Sequence, residues 1–236
     1  MNVLIIAAHP DDDILGMGGT MLKHSSNGDN VTVMYLATGI AARRQSGYQN
    51  STRYNFNKKE YEKIKSEIGI IRIQAQKACK ILGVKNALFY EFPDNEMDSV
   101  PLLRVVKTIE SVIKKYKPYR IYTNHYGDLN VDHRIVYNAA LTACRPVHFK
   151  IKELVCFEVP SSTEWNYPGI FRPNYFVNIA KELPKKILAM KMYKSEIREF
   201  PHPRSEQNLK ILAGHWGSVC GQKAAEAFEI IRMIKN

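Results

Sequence analysis

The chain has 236 residues, is 45% hydrophobic and carries a formal net charge of +11. That length suits one domain with a substantial core, and no apolar stretch approaches the roughly 20 residues that cross a bilayer, which argues against a membrane-spanning protein. The first apolar run is too short for an export signal and no basic region precedes it, so a cytoplasmic location is expected. Cys79, Cys144, Cys156 and Cys220 are widely spaced and form no CxxC pair, so they read as buried free thiols rather than a structural zinc site. The basic balance favours an anionic partner, yet the lysines are scattered among acids, as Lys58, Lys59, Lys63 and Lys65 are with Glu60, Glu62 and Glu67. Nucleic acid is not an expected partner, because no aromatic-basic interleaving or zinc-finger spacing accompanies the charge.

Residues 3–7 (Val-Leu-Ile-Ile-Ala) form an apolar run that predicts a buried first strand. Gly16, Gly18 and Gly19 follow, leading into a helical pattern through His24. Residues 31–37 are β-branched and aromatic and predict a second strand. Residues 38–57 are polar and irregular and contain Arg43, Arg44 and Arg53; a long loop after a strand end is often functional. Residues 58–82 carry helical spacing stopped by Gly83. A strand over 87–92, a helix over 101–116, a strand over 119–123 and a helix over 133–144 complete a β-α repeat. That alternation predicts an α/β fold with a parallel sheet and helices on its faces. Beyond Pro146, strands are expected at 154–157 and 175–177 and helices at 182–196 and 208–219. Neither repeats nor a linker interrupt the chain, so a single domain spanning 1–236 is the simplest organisation.

Two polar segments each follow a predicted strand: His9-Pro10-Asp11-Asp12-Asp13 and Asp128-Leu129-Asn130-Val131-Asp132-His133. In a parallel sheet both fall at the carboxyl edge, where open α/β sheets place their ligand crevices. One histidine and three carboxylates within five residues are costly to bury unless a cation sits among them. Two histidines and a carboxylate, His9, Asp12 and His133, make a divalent-metal triad that leaves a position open for water. Asp11 is the neighbouring carboxylate placed to take that water's proton. Asp132 suits either a helix N-terminus or a carboxylate partner for a histidine. Asp128 and Asn130 are capping and Asx-turn types.

At these residues the sequence resembles the LmbE-like, PIG-L-type N-acetylglucosamine deacetylases. They carry Ala-His-Pro-Asp-Asp-Glu after the first strand, here Ala8 to Asp13, and a second motif ending in Asp-His before a helix, here Asp132-His133. The segments Phe171-Arg172-Pro173-Asn174-Tyr175 and His202-Pro203-Arg204-Ser205 resemble further motifs of one branch. The resemblance implies a Rossmann-like fold and a zinc-dependent N-deacetylase. It makes His9, Asp12 and His133 the zinc ligands and Asp11 the base that activates the zinc-bound water. Iron(II) suits the same ligands. The implied reaction hydrolyses an acetamido group on a sugar to a free amine and acetate, and the basic balance suggests a phosphorylated or nucleotide-linked sugar of glycan biosynthesis.

The sequence departs from the family at two positions. Asp13 replaces the usual Glu, and Asn130 stands where some relatives have a histidine that stabilises the oxyanion. An amide still donates a hydrogen bond but supplies no full charge, and His125 or His202 is a candidate for that role. Ser161, Glu164 and Trp165 are candidates for gripping a sugar, as is Asn130, and Arg43, Arg53 and Arg172 for a phosphate. Two other classes fit less well. A phospho-receiver signalling domain also gathers acids after its first strand, but it needs no histidine ligands. A basic nucleic-acid-binding module rests on charge alone. The partner expected is an acetamido-sugar small molecule, and a homo-oligomer is compatible with the sequence.

Overall fold

The computed structural model describes residues 1–40, 58–167 and 171–235. Its elements run β1 (Asn2–Ala7), α1 (Asp12–Ser26), β2 (Asn30–Ala37), α2 (Lys58–Ile81), β3 (Asn86–Phe92), α3 (Leu102–Tyr116), β4 (Arg120–Asn124), α4 (Val131–Ala143), β5 (Glu153–Phe157), β6 (Tyr175–Asn178), α5 (Leu183–Met190), α6 (Glu206–Val219) and β7 (Ala225–Met233). One seven-stranded sheet has the order β3-β2-β1-β4-β5-β7-β6. Strands β1 to β5 pair in parallel, and β7 runs antiparallel to both β5 and β6. The expected α/β class, mostly parallel sheet and helix-strand order are therefore present. Strand β7 is an element the sequence pattern did not predict, and α5 stops at Met190 rather than running to Glu196.

Period-two alternation sorts the central strands between two cores. Val3, Ile5, Ala7, Val33 and Tyr35 face one side with α1 and α2. Leu4, Ile6, Met34 and Leu36 face the other with α3 and α4. The helices match: α3 buries Val105, Val106, Ile109, Val112 and Ile113 at helical spacing. Gly16 is required for packing, because a Cβ there would stand 2.4 Å from the Glu158 carbonyl oxygen and 2.5 Å from the Phe157 ring. Among the described residues no helix is long and apolar enough to cross a membrane.

The topology positions the site. Chain direction out of β1 leads to β2 on one side, while β4 lies on the other. The connections leaving β1 and β4 thus diverge at a switch point, and the crevice between them opens at the carboxyl edge. Both polar segments singled out in the sequence leave the sheet there.

Candidate metal centre and active site

Strand β1 ends at Ala7, and the Ala8 N–H donates to Asn124 Oδ1 at 3.0 Å, stitching it to the end of β4. The Asn124 amide also donates to Asp12 Oδ2 at 3.2 Å, and the His9 N–H donates to the same oxygen at 2.9 Å. Asp12 is thereby fixed at the start of α1. Asp11 takes φ 105°, a left-handed conformation that Asp tolerates better than most side chains. Its carbonyl accepts the first helical bond, from Leu15 N–H at 2.9 Å, but its carboxylate makes no capping bond. The turn aims that carboxylate away from the helix end.

His9, Asp12 and His133 converge. Asp12 Oδ2 lies 3.7 Å from His9 Nδ1 and 3.2 Å from His133 Nε2, and the two ring nitrogens are 3.3 Å apart. All three side chains are buried. The outward nitrogens meet carboxylates. His9 Nε2 is 3.0 Å from Asp132 Oδ2 and 3.1 Å from Asp94 Oδ1. His133 Nδ1 is 3.1 Å from Asp128 Oδ2, close in distance without the alignment of a good hydrogen bond. Asp132 also accepts the N–H groups of Asn95 at 2.7 Å and Met97 at 3.0 Å. Asp128 accepts the Asn130 N–H at 2.8 Å, the Thr163 hydroxyl at 2.6 Å and the Ser162 hydroxyl.

Charge in this cluster calls for a cation. Burial opposes the charged form of both histidines, but the surrounding carboxylates prevail. Asp132 and Asp94 hold His9 well above the usual imidazole range, and Asp12 and Asp128 raise His133 to about 9. Burial alone would raise Asp12, yet His133 and His9 pull it below the usual carboxylate range. The donor set of two imidazoles and one carboxylate, drawn together in a buried site, fits a divalent cation. A second group, His9, Asp94 and Asp132, also satisfies metal-ligand proximity. It uses the other nitrogen of His9, and its Asp132 oxygens already accept two backbone N–H groups, so it reads as the outer support of the first.

The centre opens into a cavity of about 310 Å³, lined in part by His9, Asp11, Asn130, Glu196, Arg198 and Arg204. Asp11 is buried, and burial raises its carboxyl to about 7 even though Arg204, 2.8 Å away, pulls it down. Asn130 caps α4 by accepting the Asp132 N–H at 2.8 Å, and its amide donates to Asn95 Oδ1 at 2.8 Å. It combines the capping role and a place on the cavity wall.

The other candidates lie elsewhere. His125 has both ring nitrogens engaged: Nδ1 accepts the Gly127 N–H at 3.0 Å and Nε2 meets Glu229 at 3.0 Å, so the ring braces β4 against β7. His202 Nδ1 accepts the Arg204 N–H at 3.1 Å within the α5–α6 connection, and its ring is not part of the cavity lining. Glu164 accepts the N–H groups of Ser161 at 2.7 Å and Ser162 at 3.1 Å. Ser161 reaches the cavity wall only through the 2.7 Å bond it accepts from Arg204 Nε. Trp165 and Arg172 are exposed and outside the lining. Arg43 and Arg53 lie outside the described residues. Asp13 points into the core, where it accepts the Tyr35 hydroxyl at 2.9 Å and, among the described residues, leaves Oδ1 without a hydrogen-bond partner. Its shortened side chain therefore concerns the packing beneath the centre.

Three residues that hold the site were not singled out from sequence, Asp94, Asn124 and Glu196, and Arg204 entered only as a member of the segment His202-Pro203-Arg204-Ser205, with no role of its own. Asp94, in Pro93-Asp94 after β3, and Asn124, at the end of β4, both sit at strand exits, which was the available signal.

Two buried histidines and a carboxylate at the carboxyl edge of a parallel sheet, with Asp11 on the adjoining cavity, form a group that could hold a divalent cation, as metal-dependent enzymes of this architecture do. Residues 4–144 match the PIG-L family, described as GlcNAc-PI de-N-acetylase, and the chain belongs to that family of enzymes that remove N-acetyl groups. It is 27% identical to the diacetylchitobiose deacetylase of Thermococcus kodakarensis over 97% of this chain and 82% of that one. In structure it resembles the zinc-inhibited form of teicoplanin deacetylase Orf2, with a TM-score of 0.73, 16% identity and full coverage of both chains. It also resembles GalB, the 4-carboxy-2-hydroxymuconate hydratase of Pseudomonas putida KT2440, with a TM-score of 0.72, 18% identity and coverage of 100% and 98%. Since a hydratase shares the fold, the fold does not choose the reaction, and the site must.

Proposed function

We propose that this chain hydrolyses the acetamido group of an N-acetylated amino sugar, with a divalent ion, zinc by preference, held by His9, Asp12 and His133. The observation that carries this reading is the Asp11 carboxylate, free of any capping bond and lining the same cavity as His9. A bound divalent cation supplies Lewis acidity, which polarises an amide carbonyl and acidifies water. Asp11 takes a proton from the attacking water and returns it to the departing nitrogen, so water and amide become acetate and a free amine. Asp132 and Asp94 orient His9, and Asp128 orients His133. Asn130 offers an amide on the cavity wall for substrate.

We favour an anionic sugar, phosphorylated or nucleotide-linked, as the substrate, on the basic balance of the chain and one arginine of the cavity wall. The net charge is +11, and Arg198 lines the cavity with its guanidinium bonded only to the carbonyls of Ser195 and Ile197 among the described residues. The test is acetate release from free, phosphorylated and nucleotide-linked N-acetylglucosamine by wild type and Asp11→Asn. The variant should keep its metal and lose about 10²–10⁴-fold in turnover. Full activity in Asp11→Asn would remove Asp11 from the reaction.

A further inference from the structure

Arg204 lies 193 residues from Asp11 in sequence, in the connection between α5 and α6, yet its guanidinium joins three separate segments. Nη1 donates to Asp11 Oδ2 at 2.8 Å on the β1–α1 turn and to Glu196 Oε2 at 3.0 Å, while Nε donates to Ser161 Oγ at 2.7 Å in the β5–β6 connection. Two of the residues it touches, Asp11 and Ser161, hold left-handed backbones, with φ of 105° and 78°. Neither conformation is relaxed for a side chain larger than glycine. Among the described residues Arg204 is the only hydrogen-bond donor to the Asp11 carboxylate.

We infer that Arg204 is the positioning residue of the reaction: it fixes the Asp11 carboxylate, with Glu196 and Ser161 anchoring the guanidinium that does so. This deepens the reading above and rests on Asp11 being the base. The bonds come from two nitrogens held apart in one rigid plane, Nη1 to Asp11 and Glu196 and Nε to Ser161, a spacing that the single nitrogen of lysine does not reproduce. A misplacement of about 1 Å in a reacting group can cost about 100-fold in rate. Arg204 is accordingly expected to act on turnover rather than on substrate affinity.

The test is a double-mutant cycle on the metal-loaded enzyme, with acetate release from whichever of free, phosphorylated and nucleotide-linked N-acetylglucosamine wild type turns over fastest as the assay, joined to crystal structures of the variants. Arg204→Gln should lower kcat about 100-fold with KM near wild type, and its structure should show the Asp11 carboxylate turned out of its wild-type rotamer. Combined with Asp11→Asn, the same change should cause no further loss. Arg204→Lys should fall between wild type and Arg204→Gln. It replaces Arg204→Gln in the cycle and the structure if that variant fails to fold. An equal fold-loss from the Arg204 change in both backgrounds, or an unmoved Asp11 carboxylate, would overturn the inference. A fully active Asp11→Asn would instead sink the base assignment, which makes the two failures distinguishable.

Discussion

His9 Nε2 lies 3.0 Å from Asp132 Oδ2, although Asp132 is the sequence neighbour of the other histidine. His133 turns to Asp128 instead, at 3.1 Å. The helix that begins at Val131 therefore supplies one candidate ligand and the support of the other. Because Asp132 also accepts the Asn95 and Met97 N–H groups, the orientation of His9 is tied to the connection after β3 as well as to β1.

Asp132→Asn removes the anionic acceptor from the outer nitrogen of His9. Such outer supports typically contribute 10–100-fold in metal affinity, and a loss of about that size is expected. Competition with a chromophoric chelator measures it. Affinity equal to wild type would show that Asp94 suffices.

Asp128→Ala strips three donors of their acceptor, the Asn130 N–H and the hydroxyls of Ser162 and Thr163. Hydrogen bonds to a charged group contribute about 1.5–3 kcal/mol each, and a total loss of about 3 kcal/mol is expected after relaxation. Urea unfolding of the metal-free protein isolates this effect from metal binding. A change below about 0.5 kcal/mol, within the range of ordinary surface substitutions, would mean the loop does not depend on Asp128.

Lys186 and Glu226 form a buried pair at 2.6 Å beside the kink of α1 at Met17. Glu226 accepts the N–H groups of Gly19 at 2.9 Å and Thr20 at 2.7 Å, capping the helical segment beyond the kink. Lys186→Met leaves that carboxylate buried and uncompensated, at an expected cost of about 3–5 kcal/mol. The double variant Lys186→Met with Glu226→Gln should be less destabilised than the single one. A single-variant loss no larger than the double's would contradict this.

Glu158 is raised to about 7 by burial, against the Trp216 indole N–H that it accepts. A carboxyl raised in the folded state keeps its proton after the unfolded chain has released one. Its contribution is thus fullest below the unfolded value of 4.5 and falls as pH rises to about 7, levelling off above that. Glu158→Gln keeps an acceptor for Trp216 and cannot ionise. Its stability relative to wild type should rise between pH 5 and pH 8, by about 1–3 kcal/mol. Parallel stability curves for the two proteins would refute the shift.

The parallel half of the sheet was legible because its strands are short apolar runs and its helices are amphipathic with clear stops, as at Gly83 and Pro118. Strand β7 was not, because the antiparallel return is built from Ala225–Met233, where charged Glu226, Glu229 and Arg232 interrupt the apolar pattern. Glu226 is there for the buried lysine, a contact no local pattern announces. At the site, the grouping of His9, Asp12 and His133 was legible because the first two directly follow β1 and the third opens the helix after β4, each with ligand chemistry. The segment around Arg204 carried a resemblance, but its pairing with Asp11 was not legible, since it exists only once the α5–α6 connection folds over the crevice. His125 and His202 carried the right chemistry, but each turns its Nδ1 to a local backbone N–H, of Gly127 and Arg204, and neither ring lines the cavity. Spacing cannot show which way such a ring turns.

The most direct test of the central claim is a titration of chelator-stripped protein with zinc, followed by both calorimetry and acetate release at each increment, for wild type and His133→Ala. Wild type should bind one ion per chain and regain activity in proportion to occupancy, while His133→Ala should do neither. Undiminished activity of the stripped wild type, or unchanged zinc affinity in His133→Ala, would contradict a reaction centred on His9, Asp12 and His133.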